Sequence, residues 1–287
     1  MPTFNNYQYS EDGTYQGGRS DAVILGVPCD LGSTSHVGQR EAPAAIRASG
    51  SWSWDEMYDV ARDRLVTKKV VDAGDVPIIT GELHTTGQVI ADVVAEIVKN
   101  TGLLIAMGGD HLASRFISYS LDRPYLVVFD AHSDLWQPES YGESDHGTWV
   151  RDVIEEDTVS GVCIVGHRTY GPLPHIWKYV DHIPMVEYRS DPQAALTKVV
   201  ELANGRRTYL SVDIDVVDPA FAPGTCAPEP GGMESWAILD AVYRLMSEMD
   251  VCALDVMEVL PSRDHTNLTA KLANRIIATA LSTIDRS

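Results

Sequence analysis

The 287-residue chain has no run of 18 or more apolar residues, so it offers no membrane span. Its first 21 residues lack the basic start and the apolar stretch of a signal peptide. Cysteine is sparse and scattered. Cys29, Cys163, Cys226 and Cys252 show no CxxC spacing, which argues against a disulfide framework or a zinc-thiolate site and suits a reducing cytoplasm. Positive charge is also short. Against 41 Asp and Glu stand 22 Lys and Arg, a net charge of −19. A surface so acidic disfavours nucleic acid and anionic membrane as partners. Most of these acids serve solubility, and some can steer a cationic substrate inward. Internal repeats, low-complexity stretches and domain linkers are missing too. The expectation is a polar N-terminal extension over residues 1–20 and a single domain over 21–287.

At 44% hydrophobic residues the chain can bury a substantial core. Apolar strand candidates are Ala22–Val27, Lys69–Ala73, Leu103–Met107, Tyr125–Phe129, Val162–Val165, Ile183–Val186, Thr208–Ile214 and Val251–Met257. Several are continuous apolar runs, the mark of parallel strands covered on both faces. Between them lie helical patterns. Thr85–Lys99 places Val89, Ile90, Val93, Val94, Ile97 and Val98 on a stripe of period near 3.6. Ala42–Ala48, Leu112–Ser120, Gly147–Glu156, Pro192–Ala203, Glu234–Ser247 and Leu268–Ser282 are further candidates. This alternation predicts an α/β fold, a three-layer α/β/α sandwich around a mostly parallel eight-stranded sheet. A closed eight-stranded barrel is the competing architecture.

In such sheets ligands bind at the carboxyl ends of strands. The polar residues that stand out all fall there. Gly108-Gly109-Asp110-His111 follows the third strand, Asp130-Ala131-His132-Ser133-Asp134 ends the fourth, and Gly166-His167-Arg168 follows the fifth. Asp213 and Asp215 end the seventh, and Glu258 ends the eighth. Ionisable groups at a core edge cost several kcal/mol unless paired or metal-bound. Asp130, His132 and Asp134 are spaced by two, as are Asp213 and Asp215, so extended backbone would put them on one face. With His111 they make four carboxylates and two imidazoles, enough to balance two divalent cations. Oxygen and imidazole donors without thiolate point to Mn, with Fe, Zn, Ni or Co as alternatives. Two such ions roughly 3.5–4 Å apart acidify a shared water.

The ordered set of motifs resembles the ureohydrolases, the family of arginase and agmatinase. It comprises GGDH at 108–111, DAHSD at 130–134, SVDIDVVDPAFAPGT at 211–225 and PEPGG at 228–232. GQREAPAAIR at 38–47, DHGT at 145–148 and MEVLP at 257–261 complete it. The resemblance implies an arginase-like fold and two Mn2+ ions, with Ni2+ or another divalent metal as alternative. One ion would take His111, Asp130, Asp134 and Asp213. The other would take Asp130, His132, Asp213 and Asp215. The implied reaction is hydrolysis of a guanidinium to urea and an amine. Glu258 would hold the guanidinium, Asp134 would stabilise the tetrahedral intermediate, and His146 would protonate the leaving amine. A homo-oligomer, trimer or hexamer, is implied as well.

The segment after the metal motif, Leu135–Asp145, is similar to that of agmatinases and lacks the polar pattern by which arginases grip an amino-acid head. Agmatine is therefore the expected small cationic substrate. Cys226-Ala227 stands where agmatinases usually have Gly-Thr, and Trp149 stands where Pro or Met is usual. Both are expected near the mouth of the site. Arg168 has two readings, a partner for a carboxylate tail or a structural loop arginine. Guanidinobutyrate and other guanidines, formiminoglutamate (which would release formamide), a nickel-dependent guanidine hydrolase and a non-catalytic paralogue remain as alternatives. The paralogue reading is opposed by the presence of all six ligand candidates.

Overall fold

A computed structural model describes residues 18–50, 53–137, 144–170 and 175–284. The expected N-terminal extension, up to residue 17, lies outside these, as do residues 138–143 of the segment that follows the metal motif. Eight parallel strands make the central sheet. They are β1 (Ser20–Gly26), β4 (Val70–Asp75), β5 (Thr101–Met107), β6 (Tyr125–Phe129), β7 (Gly161–Val165), β8 (Asp181–Ile183), β9 (Thr208–Asp213) and β10 (Val251–Met257). Their spatial order is β4-β1-β5-β10-β9-β6-β7-β8. The sheet is open, which settles the sandwich against the barrel.

Alternate side chains of each strand feed two separate cores, as the period of two requires. Ile24, Ile105, Val127 and Leu254 pack on one face with residues of α1 (Ala42–Ser49), α6 (Pro192–Ala203), α7 (Ser235–Glu248) and α8 (Leu268–Thr283). Val23, Leu104, Leu126 and Ala253 pack on the other with α2 (Leu83–Val98), α3 (Ala113–Ser118) and α4 (Trp149–Glu155). Burial on both faces explains the continuous apolar runs. Among the described residues, no helix is long and apolar enough to cross a membrane. All four cysteines are buried and unpaired.

Two local expectations need correction. The strand expected at Ile183–Val186 ends at Ile183, and Met185–Ser190 forms α5. Pro184, with φ −64° and ψ 157°, has no amide to give the sheet and instead starts the helix. A small antiparallel hairpin, β2 (Glu56–Asp59) and β3 (Arg64–Thr67), also escaped the sequence reading. Of its eight residues only Asp59 and Val66 are buried, which leaves little apolar alternation to detect.

The chain order creates the site. β5 and β6 are consecutive in sequence but separated in the sheet by β10 and β9, which return late to fill the gap. The register pairs Met107 with Val256, Met257 with Asp213, and Phe129 with Val212. Four strand ends therefore open side by side at the switch point, where α/β sheets bind ligands.

Candidate metal centre and substrate cleft

Each of the four central strands delivers its ligands through a sharp exit. After β5 the chain turns at Gly108 and Gly109, with φ 83° and 88°. A Cβ on Gly109 would stand 2.6 Å from the Val27 carbonyl oxygen, so the close approach demands glycine there. His111 follows and is 1% exposed. Its Nδ1 lies 3.2 Å from Oδ2 of Asp130, of Asp134 and of Asp213. His132 Nδ1 lies 2.9 Å from Asp215 Oδ2 and 3.4 Å from Asp130 Oδ1. All six residues singled out in the sequence thus meet, with Asp130 common to the His111 and His132 groups.

The backbone reason differs from the expected one. Asp134 has φ 49°, and Asp215 sits in the 3-10 turn Ile214–Val216. Extended spacing does not place these carboxylates. Tight turns do, held by the carboxylates' own second oxygens. Asp130 Oδ1 accepts from His132 N–H at 2.6 Å, Asp213 Oδ1 from Asp215 N–H at 2.8 Å, and Asp215 Oδ1 from Ala131 N–H at 3.1 Å. Each of these three keeps its other oxygen for the centre.

The tautomer of His111 follows from its outer partners. Asp255 is buried and accepts from the hydroxyls of Ser114 (2.6 Å), Ser211 (2.7 Å) and Tyr209, and from Val212 N–H (3.3 Å). With the Ser211 proton committed to Asp255, Ser211 Oγ accepts from His111 Nε2 at 2.9 Å. Nδ1 then carries a lone pair aimed at three carboxylate oxygens. Among the described residues, neither Nδ1 nor Asp130 Oδ2 has a hydrogen-bond partner. A lone pair facing three anionic oxygens is repulsive unless positive charge sits between them. The donor set therefore fits a divalent cation, and the outer shell has the form that orients metal-bound imidazoles.

The titration of the cluster shows the same demand. Burial, then Asp215 and Asp130, hold Asp213 well above the usual carboxylate range. Burial and Asp130 push Asp134 up to about 6. Burial opposes charge on His111, yet Asp130, Asp134 and Asp213 raise it well above an ordinary imidazole. His132 is raised too, by Asp215 and Asp130 against burial. Protons gather where a cation would otherwise balance four buried carboxylates.

A cleft of about 200 Å³ opens over the cluster, walled by Thr34, Trp136, Asp145, His146, Cys226 and Glu258. Glu258 is held in the left-handed region at φ 63°. Its Oε1 accepts from His111 N–H at 2.8 Å and pairs with His146 Nδ1 at 3.0 Å. Its Oε2 accepts from Gln39 Nε2 at 3.0 Å. Burial would raise the Glu258 carboxyl, but His146 and Gln39 hold it below its usual range. Burial would lower His146, but Glu258 outweighs it and pushes the imidazole up to about 9. His146 Nε2 also meets Thr34 Oγ1 at 2.9 Å.

Cys226 and Ala227 line the cleft, where the sequence placed them. Trp149 does not. It is fully buried, its ring 4.6 Å from that of His111, and its Nε1 donates to Asp134 Oδ2 at 2.8 Å. It braces the carboxylate cluster from below and takes no part in the mouth. Arg168 also resolves. Its guanidinium donates to the backbone carbonyls of Asp215, Glu229, Val216, Pro230 and Gly166. Spent on the loop that carries Asp215, it is structural and absent from the cleft lining. Gln39, Ser211 and Asp255 had no role in the sequence reading. Gln39 lies within GQREAPAAIR at 38–47, and the fold alone brings it to Glu258, 219 positions away.

Known proteins resemble this chain in sequence and fold. The Arginase family model matches residues 20–282. An agmatinase of Bacillus anthracis is 30% identical over 264 residues, covering 90% of each chain. The proclavaminate amidinohydrolase of Streptomyces clavuligerus is 32% identical over 274 residues, covering 91% of this chain and 87% of that one. Its solved structure superposes with a TM-score of 0.86 at 28% identity, over 99% of this chain and 97% of that chain. With the sheet order, the site at its switch point and a match along nearly the whole chain in agreement, the chain belongs to the arginase family and is a hydrolase of amidino or guanidino groups.

Proposed function

We propose that this enzyme hydrolyses agmatine, or a small cationic guanidino compound of the same kind, to urea and an amine. In this reading His111, Asp130, His132, Asp134, Asp213 and Asp215 hold two Mn2+ ions, and Ni2+ or another divalent ion suits the same donors. The carrying observation is the His111 Nδ1 lone pair converging on three carboxylate oxygens at 3.2 Å. When bound, the ions supply Lewis acidity that makes water a nucleophile at neutral pH. The guanidinium carbon needs that help, because its charge is delocalised and its electrophilicity poor.

The remaining steps belong to the chain. Glu258, pre-oriented by Gln39 and the His111 amide, offers carboxylate oxygens to the guanidinium N–H groups. Asp134 stabilises the tetrahedral intermediate as one nitrogen becomes an amine. His146 is protonated through neutrality at a pKa of about 9 and gives its proton to the leaving amine. The agmatine preference rests on charge. Among the described residues, no Lys or Arg lines the cleft, whereas Asp145, Asp134 and Glu258 do. Among the described residues, the lining therefore offers carboxylates to a cationic tail and no Lys or Arg to a carboxylate tail. The same reading takes residues 21–287 as one catalytic domain, working in the cytoplasm as a homo-oligomer.

A panel of agmatine, 4-guanidinobutyrate, arginine, guanidine and formiminoglutamate tests this, with Mn2+ or Ni2+ fully loaded. Urea release is expected, with kcat/KM for agmatine at least tenfold above that for guanidinobutyrate. Absence of urea from every guanidine would sink the reading, and formamide from formiminoglutamate would replace it.

A further inference from the structure

Cys226 has no task in the hydrolysis described above. It is 5% exposed, lines the cleft, and meets Ser35 Oγ at 3.5 Å. A ring nitrogen of His146, a carboxylate oxygen of Glu258 and the Cys226 Sγ all lie within 4.8 Å of one another. Two of the three already form the 3.0 Å His146–Glu258 pair. Around a tetrahedral zinc ion, with Zn–S about 2.3 Å and Zn–N and Zn–O about 2.0–2.2 Å, ligand atoms stand roughly 3.3–3.7 Å apart. That spacing lies about 1–1.5 Å inside the 4.8 Å limit that encloses the trio. Its donors differ in kind from those of the six-residue cluster, which contains no sulfur. A thiolate selects soft cations over Mn2+.

We propose that His146, Cys226 and Glu258 form a third cation site in the cleft, selective for a thiophilic divalent ion such as Zn2+ or Cd2+, and that filling it inhibits the enzyme. The binding rests on the geometry of these three side chains. The inhibition rests on the proposed function, because the ion takes the His146 lone pair and the Glu258 charge that turnover uses. It also puts positive charge where the guanidinium would sit. Binding expels the thiol proton, and the proton shared by His146 and Glu258, to solvent. No electrons move.

The test titrates the Mn-loaded full-length protein with Cd2+ and follows the ultraviolet thiolate-to-cadmium charge-transfer band, while elemental analysis tracks manganese. The expected result is saturation at one Cd2+ per chain with manganese retained. Cys226→Ser should abolish the band, and His146→Ala should weaken binding at least tenfold. Urea release under a Zn2+ series should need at least tenfold more Zn2+ for half-inhibition in Cys226→Ser, each variant scaled to its own zinc-free rate. A band that persists in Cys226→Ser, or one that grows only as manganese leaves, overturns the site. Saturable Cd2+ binding through Cys226 without any effect on turnover overturns the inhibition. Should the chain turn over no guanidine at all, the proposed function fails, and the absorption titration still decides the site.

Discussion

The His111 imidazole is aimed by a two-step chain, Ser211 Oγ accepting from Nε2 and passing its own proton to Asp255. Ser211→Ala breaks that chain while leaving all six inner ligands in place. Loss of such an outer partner typically costs 10–100-fold in metal affinity. We expect the variant to fold and to bind Mn2+ about tenfold or more weakly by calorimetric titration. Unchanged affinity would show that Ser211 does not set the tautomer. Gln39 does for Glu258 what Ser211 does for His111. Gln39→Met keeps the volume and removes the donor to Oε2. A hydrogen bond to a charged group is worth about 1.5–3 kcal/mol, so KM for agmatine should rise at least tenfold with kcat less affected. A fall in kcat at constant KM would place Gln39 elsewhere in the reaction. His146→Ala should keep its metals and lose turnover, and metal loss in that variant would refute the shuttle role.

At the scale of elements, strand ends were legible because the chemistry of burial writes them plainly. An apolar run followed at once by Asp, His or Glu has few explanations when the sheet is covered on both faces. Hence the six ligand candidates and Glu258 could be picked from the chain alone. What lay hidden was whatever depends on a turn or on a partner distant in sequence. Asp134 and Asp215 reach the centre through left-handed and 3-10 backbone, which a spacing of two does not encode. Trp149 was expected at the mouth because it follows DHGT at a position where related proteins usually carry Pro or Met, yet it opens α4 and faces inward. Arg168 was ambiguous, since backbone carbonyls leave no mark in a sequence. Its place in the fold makes a prediction. Arg168→Ala should destabilise by about 2 kcal/mol or more through lost charge-assisted bonds to carbonyls, read as a lower thermal midpoint. The ratio of kcat/KM for agmatine over guanidinobutyrate should not move. A shift of that ratio towards agmatine would restore Arg168 as a tail-binding residue.

For the whole molecule, the centre is a concentration of like charge inside a protein that already carries −19. The metal-free form relieves it with protons. His111 and His132 are raised, and Asp134 rises to about 6. Every one of those protons competes with a cation, so metal affinity must increase as pH rises and fall as the cluster is acidified. The fold feels this directly, because a ligand bound only by the native state stabilises it. At a hundredfold excess over Kd each ion adds about 2.7 kcal/mol, and a chain of 287 residues gains roughly 1.5–2 °C per kcal/mol. Chelation should therefore lower the thermal midpoint by at least about 5 °C at pH 8, and by less at pH 6. The same scans on Asp213→Ala, which lacks one of the three carboxylates 3.2 Å from His111 Nδ1, should show almost no response to Mn2+. A gap between loaded and chelated protein that stays constant from pH 6 to pH 8, or that survives in Asp213→Ala, would mean that manganese stabilises this chain somewhere other than the converging carboxylates.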